Sequence, residues 1–149
     1  MERSKYNVSS STTNRTYNGI IFDSAMEMKY YRDVVLPLTE SGDVIEYELQ
    51  KSFELQPKFK YKNKTVQPIT YVADFFMRYK DGYEEVIEIK GCPDNTALLK
   101  KKMFLYHYPN IPLRWVTYSG IDGGWCEYQD VVKNRQRRKK EKLKDKKEK

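Results

Sequence analysis

The sequence predicts an α/β (α+β) fold, a mixed central sheet flanked by helices in the order α-β-β-β-α-β. Three observations predict it. Apolar residues recur at helical spacing in two stretches, near 24–38 and 95–106. Four further stretches read as strands. Gly, Pro and Asp clusters separate these segments. Aromatics make up 14% of the chain and Tyr contributes 13 residues. A disordered chain would carry few of them, so the middle of this one is expected to fold.

Residues 1–16 are polar, rich in Ser, Thr and Asn, and read as a flexible leader without the apolar core of a secretory signal. Tyr17-Asn-Gly-Ile-Ile-Phe22 reads as a turn leading into a strand. A helix is expected from about Ser24 to Leu38. Ser24 is a suitable N-cap, and Glu27 three residues later completes a capping box. Met26, Tyr30, Val34 and Leu38 form its apolar stripe. Pro37 and then Ser41-Gly42 are expected to end it.

Strands follow at Val44–Leu55, Ile69–Tyr79 and Glu84–Lys90, with Asp81-Gly82 marking a turn between the last two. Gly91-Cys92-Pro93 breaks the chain. A second helix is expected from about Asn95 to Tyr106, with Leu98, Leu99, Met103 and Leu105 available for the core. Leu113–Tyr118 is a fourth strand and Gly120–Gly124 a loop. No internal repeat is visible. The expected organisation is therefore leader 1–16, one domain at 17–132 and a basic tail at 133–149.

The net charge of +7 is concentrated in that tail. Residues 133–149 hold eleven Lys or Arg against three Asp or Glu, which leaves the first 132 residues one charge below neutral. Such a block is usually a solvated arm, and a polyanion such as DNA is its natural partner. No apolar run approaches the ~20 residues of a membrane span, so no membrane association is expected. Cys92 and Cys126 form no C-x-x-C pair, and His107 is the only histidine, so a zinc site is not expected. Two free thiols suit a reducing cytoplasm. His107, Trp115 and Trp125 read as packing or surface residues.

The chemistry-bearing residues lie on two strands. Strand side chains alternate, so Glu88 and Lys90 share one face while Ile87 and Ile89 share the other. Asp74 interrupts Tyr71-Val-Ala-Asp-Phe-Phe-Met77, a run otherwise suited to burial. A buried carboxylate is costly unless it is paired or bound to a metal. If Ala73, Phe75 and Met77 share a face with Ile87 and Ile89, cross-strand partners sum to an even number, for example 75 with 89. The connection then has an odd length, such as a three-residue loop with a bulge, and not a two-residue Asp81-Gly82 turn. In that register Asp74 lies across from Lys90 and one step from Glu88. Two carboxylates and a lysine at one spot suit phosphodiester cleavage. The carboxylates can hold a hard cation such as Mg²⁺, and the lysine can orient water or stabilise developing charge.

Helix Glu27, strand Asp74 and Glu88-Ile89-Lys90 together resemble the PD-(D/E)XK nuclease superfamily. The segments "FDSAMEMKYY", "YELQKSFELQPKF", "ITYVADFFMRYKDG" and "VIEIKG" are similar to a family of small phage-encoded proteins placed in it. The resemblance spans about residues 17–120. Ala73 stands where the superfamily's Pro precedes the Asp. The resemblance implies a restriction-endonuclease-like αβββαβ core and a Mg²⁺-dependent endodeoxyribonuclease, with Mn²⁺ able to substitute. Asp74 and Glu88 would be metal ligands, with the Ile89 carbonyl completing the shell. Lys90 would activate water. Glu27 would assist, although the capping box by itself accounts for a Glu there. Gln50 would line the site, and Lys100, Lys101 or Lys102 would meet phosphates. Lys133, Arg135, Arg137, Arg138, Lys139 and Lys140 of the tail would supply backbone affinity.

No helix-turn-helix or zinc finger is visible, which favours branched or junction DNA in phage recombination or replication over a defined sequence. Junction cutting would suit a homodimer, in the manner of a Holliday junction resolvase. Two other readings stay open. One is a non-catalytic nucleic-acid-binding protein of the same fold. The other is a site-specific nuclease subunit of a transposition or packaging complex.

Overall fold

In the computed structural model, residues 11–148 are described; the first ten residues of the expected leader, and Lys149, lie outside them. The chain opens with a hairpin, β1 (Thr16–Tyr17) and β2 (Ile20–Ile21). Its two-residue turn is Asn18-Gly19, and both residues have positive φ. Such a turn matches the twist of the flanking strands, and Asn-Gly is the pair that adopts it most readily. Arg15 then donates to the Phe22 carbonyl at 2.6 Å, tying the preceding turn to the hairpin.

The first helix runs as α1 (Ala25–Tyr30), a π-helical turn (Tyr31–Val35) and α2 (Leu36–Glu40). Pro37 therefore does not end it. The Leu36 N–H bonds to the Tyr31 carbonyl five residues back, and Pro37 follows in the first turn of α2. A proline in a first turn loses no intrahelical bond, so the wide turn lets the helix continue to Glu40. Tyr30 is buried as expected. Met28, Tyr31 and Val35 are buried beside it, while Met26, Val34 and Leu38 pack at the margin.

Five strands form the central sheet: β3 (Val44–Gln56), β6 (Ile69–Tyr79), β7 (Glu84–Ile89), β8 (Leu113–Ser119) and β9 (Gly124–Glu127), in the order β3-β6-β7-β8-β9. Only β7 and β8 are parallel. A parallel pair needs a crossover, and α3 (Asn95–His107) supplies it. A separate hairpin, β4 (Phe59–Tyr61) and β5 (Lys64–Val66), stands between β3 and β6. The last helix is α4 (Tyr128–Lys147). The expected α-β-β-β-α-β order is thus α1, β3, β6, β7, α3 and β8. It forms an α+β fold with a mixed sheet between helices.

Two apolar clusters fill the two faces of the sheet. Phe75, Met77, Ile87 and Ile89 pack with Tyr30, Tyr31 and Val35. Phe53, Leu55, Tyr71, Ala73, Phe76 and Val86 pack with Phe104 of α3. Phe104 is fully buried, whereas Leu98, Leu99 and Leu105 are exposed, contrary to the expected core of this helix. Helical phase decides this: Ala97, Lys100, Lys101 and Phe104 fall on the sheet side, and the leucines fall between.

Glu85 is buried on the α1 face but satisfied. It accepts from the Tyr79 hydroxyl at 2.6 Å and ion-pairs with Arg114, which also holds Glu127. On the other side of the sheet's edge, Asp122 takes Asn134 at 2.9 Å and Arg138 at 2.8 Å. With buried Val131, these contacts fasten the start of α4 to the body. The basic segment from residue 133 is thus part of a helix that begins at Tyr128.

Candidate functional site: a carboxylate cluster where two strands part

The connection between β6 and β7 has the odd length that the apolar pattern demands. Tyr79 donates to the Tyr83 carbonyl at 2.8 Å, leaving the three-residue loop Lys80-Asp81-Gly82 with Gly82 at φ +86°. The parity matches the expectation, but the register is two residues shorter. Phe75 pairs with Ile87, not Ile89. Asp74 consequently stands beside Glu88 and not across from Lys90. A strand pattern of period two is blind to a shift of two, so the turn alone decides between them.

The pleat also reverses at this level. Leu49 and Phe75 face α1, whereas their neighbours by two, Lys51 and Ala73, do not. Ala73 packs with the α3 cluster, and Lys51 Nζ lies 4.9 Å from the centre of the Phe76 ring. The expectation that Ala73 shares a face with Phe75 therefore fails. The pairs Leu49–Phe75 and Lys51–Ala73 bracket Gln50 and Asp74. Gln50 has φ +54°, in the left-handed region that side chains other than glycine avoid. One residue turned out of the pleat reverses every side chain after it. Such a conformation costs roughly 1–2 kcal/mol and is held only where the surroundings enforce it. The Gln50 amide donates to Asp74 Oδ1 at 3.4 Å.

Gln50→Gly and Gln50→Ala both remove this amide, but only glycine relieves the backbone. The glycine variant is expected to melt higher than the alanine variant, by the equivalent of about 1 kcal/mol. Equal melting temperatures would show that position 50 stores no strain.

The strands then part. Ladder pairing between β6 and β7 ends at Phe75–Ile87, while β7 continues alongside β8. Carboxylates take over the freed amides. Asp74 Oδ2 accepts from the Ile89 N–H at 2.8 Å, and Glu88 Oε2 accepts from the Asp74 N–H at 3.3 Å. Lys90 Nζ holds the other Glu88 oxygen at 2.9 Å.

Glu27 joins from α1. The Ser24 hydroxyl accepts from the Glu27 N–H and donates to Glu27 Oε1, so the cap uses one carboxylate oxygen. The other, Oε2, is buried and has no hydrogen-bond partner. Capping accounts for half of this side chain and leaves the rest aimed into the fold.

Glu27, Asp74 and Glu88 are 7%, 8% and 8% exposed. Burial is the main reason that all three hold their protons above the ordinary carboxylate range; repulsion from Asp23 and Glu88 adds to it at Glu27, and repulsion from Glu88 and Glu27 adds to it at Asp74. Glu27 is pushed up to about 7 and Asp74 to about 8. Burial raises Glu88 too, against the opposing pull of Lys90. Among the described residues, no three His, Cys, Asp or Glu side chains are already gathered to hold a metal ion. The donor chemistry nonetheless fits a hard cation. Mg²⁺ needs only one or two carboxylates and fills its other positions with water and phosphate oxygens. An unpartnered buried oxygen on Glu27, in the field of Asp74 and Glu88 with Lys90 paired to Glu88 alone, is the deficit that such an ion relieves.

An open cleft of about 300 Å³ adjoins the cluster, lined by Tyr71, Glu88, Lys90, Cys92, Thr96, Lys100 and Trp115 among others. Its far wall is the first turn of α3, where Asp94 caps the Ala97 N–H at 2.8 Å. Of the expected lysines, Lys100 lines this cleft. Lys102 does not, since it is exposed on the helix flank. Lys101 turns inward and stands 4.3 Å from the Trp115 ring centre. None of Lys133, Arg135, Arg137, Arg138, Lys139 or Lys140 lines the cleft, and Arg138 is engaged by Asp122.

Two residues of the site escape a reading of the chain. Tyr71 is buried, and its hydroxyl accepts from Trp115 Nε1 at 3.3 Å next to Glu88. Trp115 carries both Lys101 and Lys90 over its ring and so sets where their charges sit. Each looks like ordinary core in the sequence, because its polar atom meets a partner from a distant strand. Ile89 contributes its N–H to Asp74.

Among the described residues, no helix is long and apolar enough to cross a membrane. No curated protein matches the chain. Residues 3–121 match the family described as "Protein of unknown function (DUF1064)", a match that takes in every residue of the cluster and its cleft, and the chain belongs to that family.

Proposed function

We propose that this protein is a divalent-metal-dependent DNA endonuclease of the PD-(D/E)XK type, with branched or junction DNA as its substrate class. One observation carries the reading. Buried Asp74 and Glu88, with Lys90 on Glu88 and a buried, unpartnered Glu27 oxygen on the neighbouring helix, lie where β6 and β7 part beside an open cleft lined by Lys90 and Lys100. A cluster that only stabilised the fold would have its charges paired.

Asp74 and Glu88 would hold Mg²⁺ or Mn²⁺, with the Ile89 carbonyl and Glu27 as further oxygen donors. The ion, when bound, polarises the phosphate and makes a water molecule more acidic. The chain's own groups do the rest. Lys90, anchored by Glu88, presents its ammonium at the mouth of the cleft, where it orients the attacking water and offsets charge developing on the phosphoryl oxygens. Lys100 and the first turn of α3 face the same space and suit a neighbouring phosphate. Gln50 holds Asp74 from the β3 side.

The test is cleavage of a labelled four-way junction and of a plain duplex, each with Mg²⁺, with Mn²⁺ and with EDTA. Metal-dependent cutting, stronger on the junction, is the expected result. Tight binding with no cutting of either substrate under any metal would favour the non-catalytic alternative.

The basic helix would add affinity independent of sequence. Because Asn134 and Arg138 brace the fold, the informative deletion removes only residues 139–149. It is expected to weaken DNA binding about tenfold at low salt and to flatten the salt dependence, with the melting temperature unchanged. Unchanged affinity at every salt concentration would show that α4 does not meet DNA.

A further inference from the structure

The hairpin β4–β5 is the largest feature that the catalytic reading leaves unused. Residues 57–68 read Pro-Lys-Phe-Lys-Tyr-Lys-Asn-Lys-Thr-Val-Gln-Pro, with four lysines and no acidic residue. The two strands pair with each other and with no strand of the central sheet. Lys62 and Asn63 form the two-residue turn, both at positive φ, which closes the hairpin tightly. The ladder puts Phe59 opposite Val66 and Tyr61 opposite Lys64. Phe59 and Tyr61, two apart, therefore share one face, and Lys60 and Thr65 share the other. The aromatic face stays largely open: Phe59 is 45% and Tyr61 62% exposed. Among the described residues, no carboxylate forms an ion pair with any of the four lysines.

A hairpin with exposed rings on one face, Tyr61 carrying the Lys62 ammonium 5.5 Å from its centre, is an aggregation hazard unless it has a partner. Charge selects the partner. Unopposed lysines around two rings fit a polyanion that also offers flat apolar surfaces, and a single nucleic-acid strand is both. The spacing agrees. Side chains two apart on a strand stand roughly 7 Å from each other, the room one base needs to sit between two rings. In a closed duplex the bases are already stacked and offer no such face.

The geometry points to the β4–β5 hairpin as a finger that grips unpaired bases of DNA, with Phe59 and Tyr61 stacking on them and Lys58, Lys60, Lys62 and Lys64 holding the flanking phosphates. The finger rests on the proposal that the chain acts on DNA, and it names the feature of the substrate that the chain selects. Its base lies five residues along β6 from Asp74, about 17 Å of strand, so one strand of DNA can span finger and cleft.

The test uses the full chain in EDTA, so that binding is measured without cutting. Probes are a labelled 20-nucleotide oligo(dT) and a duplex of equal length. Phe59→Ala with Tyr61→Ala is expected to weaken oligo(dT) binding at least about tenfold and to leave duplex binding nearly unchanged. Replacing the four lysines with Ser is expected to weaken both and to lower the salt slope. Tyr61→Trp is expected to show fluorescence quenching on oligo(dT), which reports stacking directly. Three results would overturn the finger: wild-type affinity for oligo(dT) in the double variant, equal losses on both probes, or aromatic-dependent binding to anionic vesicles with none to oligo(dT). Because no step needs cleavage, failure of the nuclease reading leaves this outcome separately legible.

Discussion

Asp74→Ala and Lys90→Ala are each expected to lower metal-dependent DNA cleavage by about 1,000-fold or more while leaving DNA affinity largely intact. A thousandfold corresponds to about 4 kcal/mol of transition-state stabilisation, a loss in keeping with removing a metal ligand or a charge that acts at the reacting phosphate. The two variants fail for different reasons. Asp74 would supply ligand oxygen under the proposed function, and it also occupies the Ile89 amide that the parted ladder exposes. Lys90 supplies the positive charge that pairs directly with Glu88 at the edge of the cleft. Raising the metal concentration is therefore expected to rescue Asp74→Glu in part and Lys90→Ala not at all. Glu27→Gln tests the fourth member. It keeps the hydrogen bond to Ser24, so a helix cap alone would leave cutting unchanged, whereas a ligand role predicts a loss. Cutting by Asp74→Ala at the wild-type rate would end the assignment.

Without metal, the protein is expected to lose stability as pH rises from about 5 to about 8.5, in part through this cluster. Burial lifts Asp74 to about 8 and Glu27 to about 7 in the folded chain, far above their ordinary values. Over the interval between, the folded protein keeps protons that the unfolded chain has released, so the contribution to stability falls with rising pH. It is fully present below about pH 4 and is lost as pH passes the folded values. Asp74→Asn removes one of the titrating groups. It is expected to be more stable than wild type at pH 8 by roughly 1–3 kcal/mol in EDTA, with the difference vanishing near pH 4. Asp122 runs the other way, held below its usual range chiefly by Arg138, but it is common to both proteins and cancels in the comparison. Saturating Mn²⁺ is expected to stabilise wild type at pH 8 and to leave Asp74→Asn nearly unaffected. The measurement is urea unfolding at several pH values. A pH-independent difference between the two proteins would mean that Asp74 is charged in the metal-free fold.

Much of the candidate site can be read from alternation alone. Glu88 and Lys90 share a face because strands have period two, and burial of Phe75, Met77, Ile87 and Ile89 on one face demands an odd connection. The three-residue loop supplies it. The element order, the Ser24 cap and the helix from Asn95 follow from spacing that is local to each segment.

Other features depended on meetings between distant segments. The partner of Asp74 could slip by two without disturbing the apolar pattern, and only the closed turn selects Glu88 over Lys90. The pleat reversal at Gln50 leaves no trace in composition, because a positive φ at a glutamine is imposed by its neighbours. Arg138 reads as one free charge among many until Asp122 arrives beside it. For Glu27 the sequence determined the residue and its cap. The tertiary structure decided its second role, since only packing α1 against the parted strands buries Oε2 without a partner and brings it into the field of Asp74 and Glu88. Local periodicity sets which way a side chain leaves its own backbone. What it meets there is set by the register and packing of segments far away in the chain.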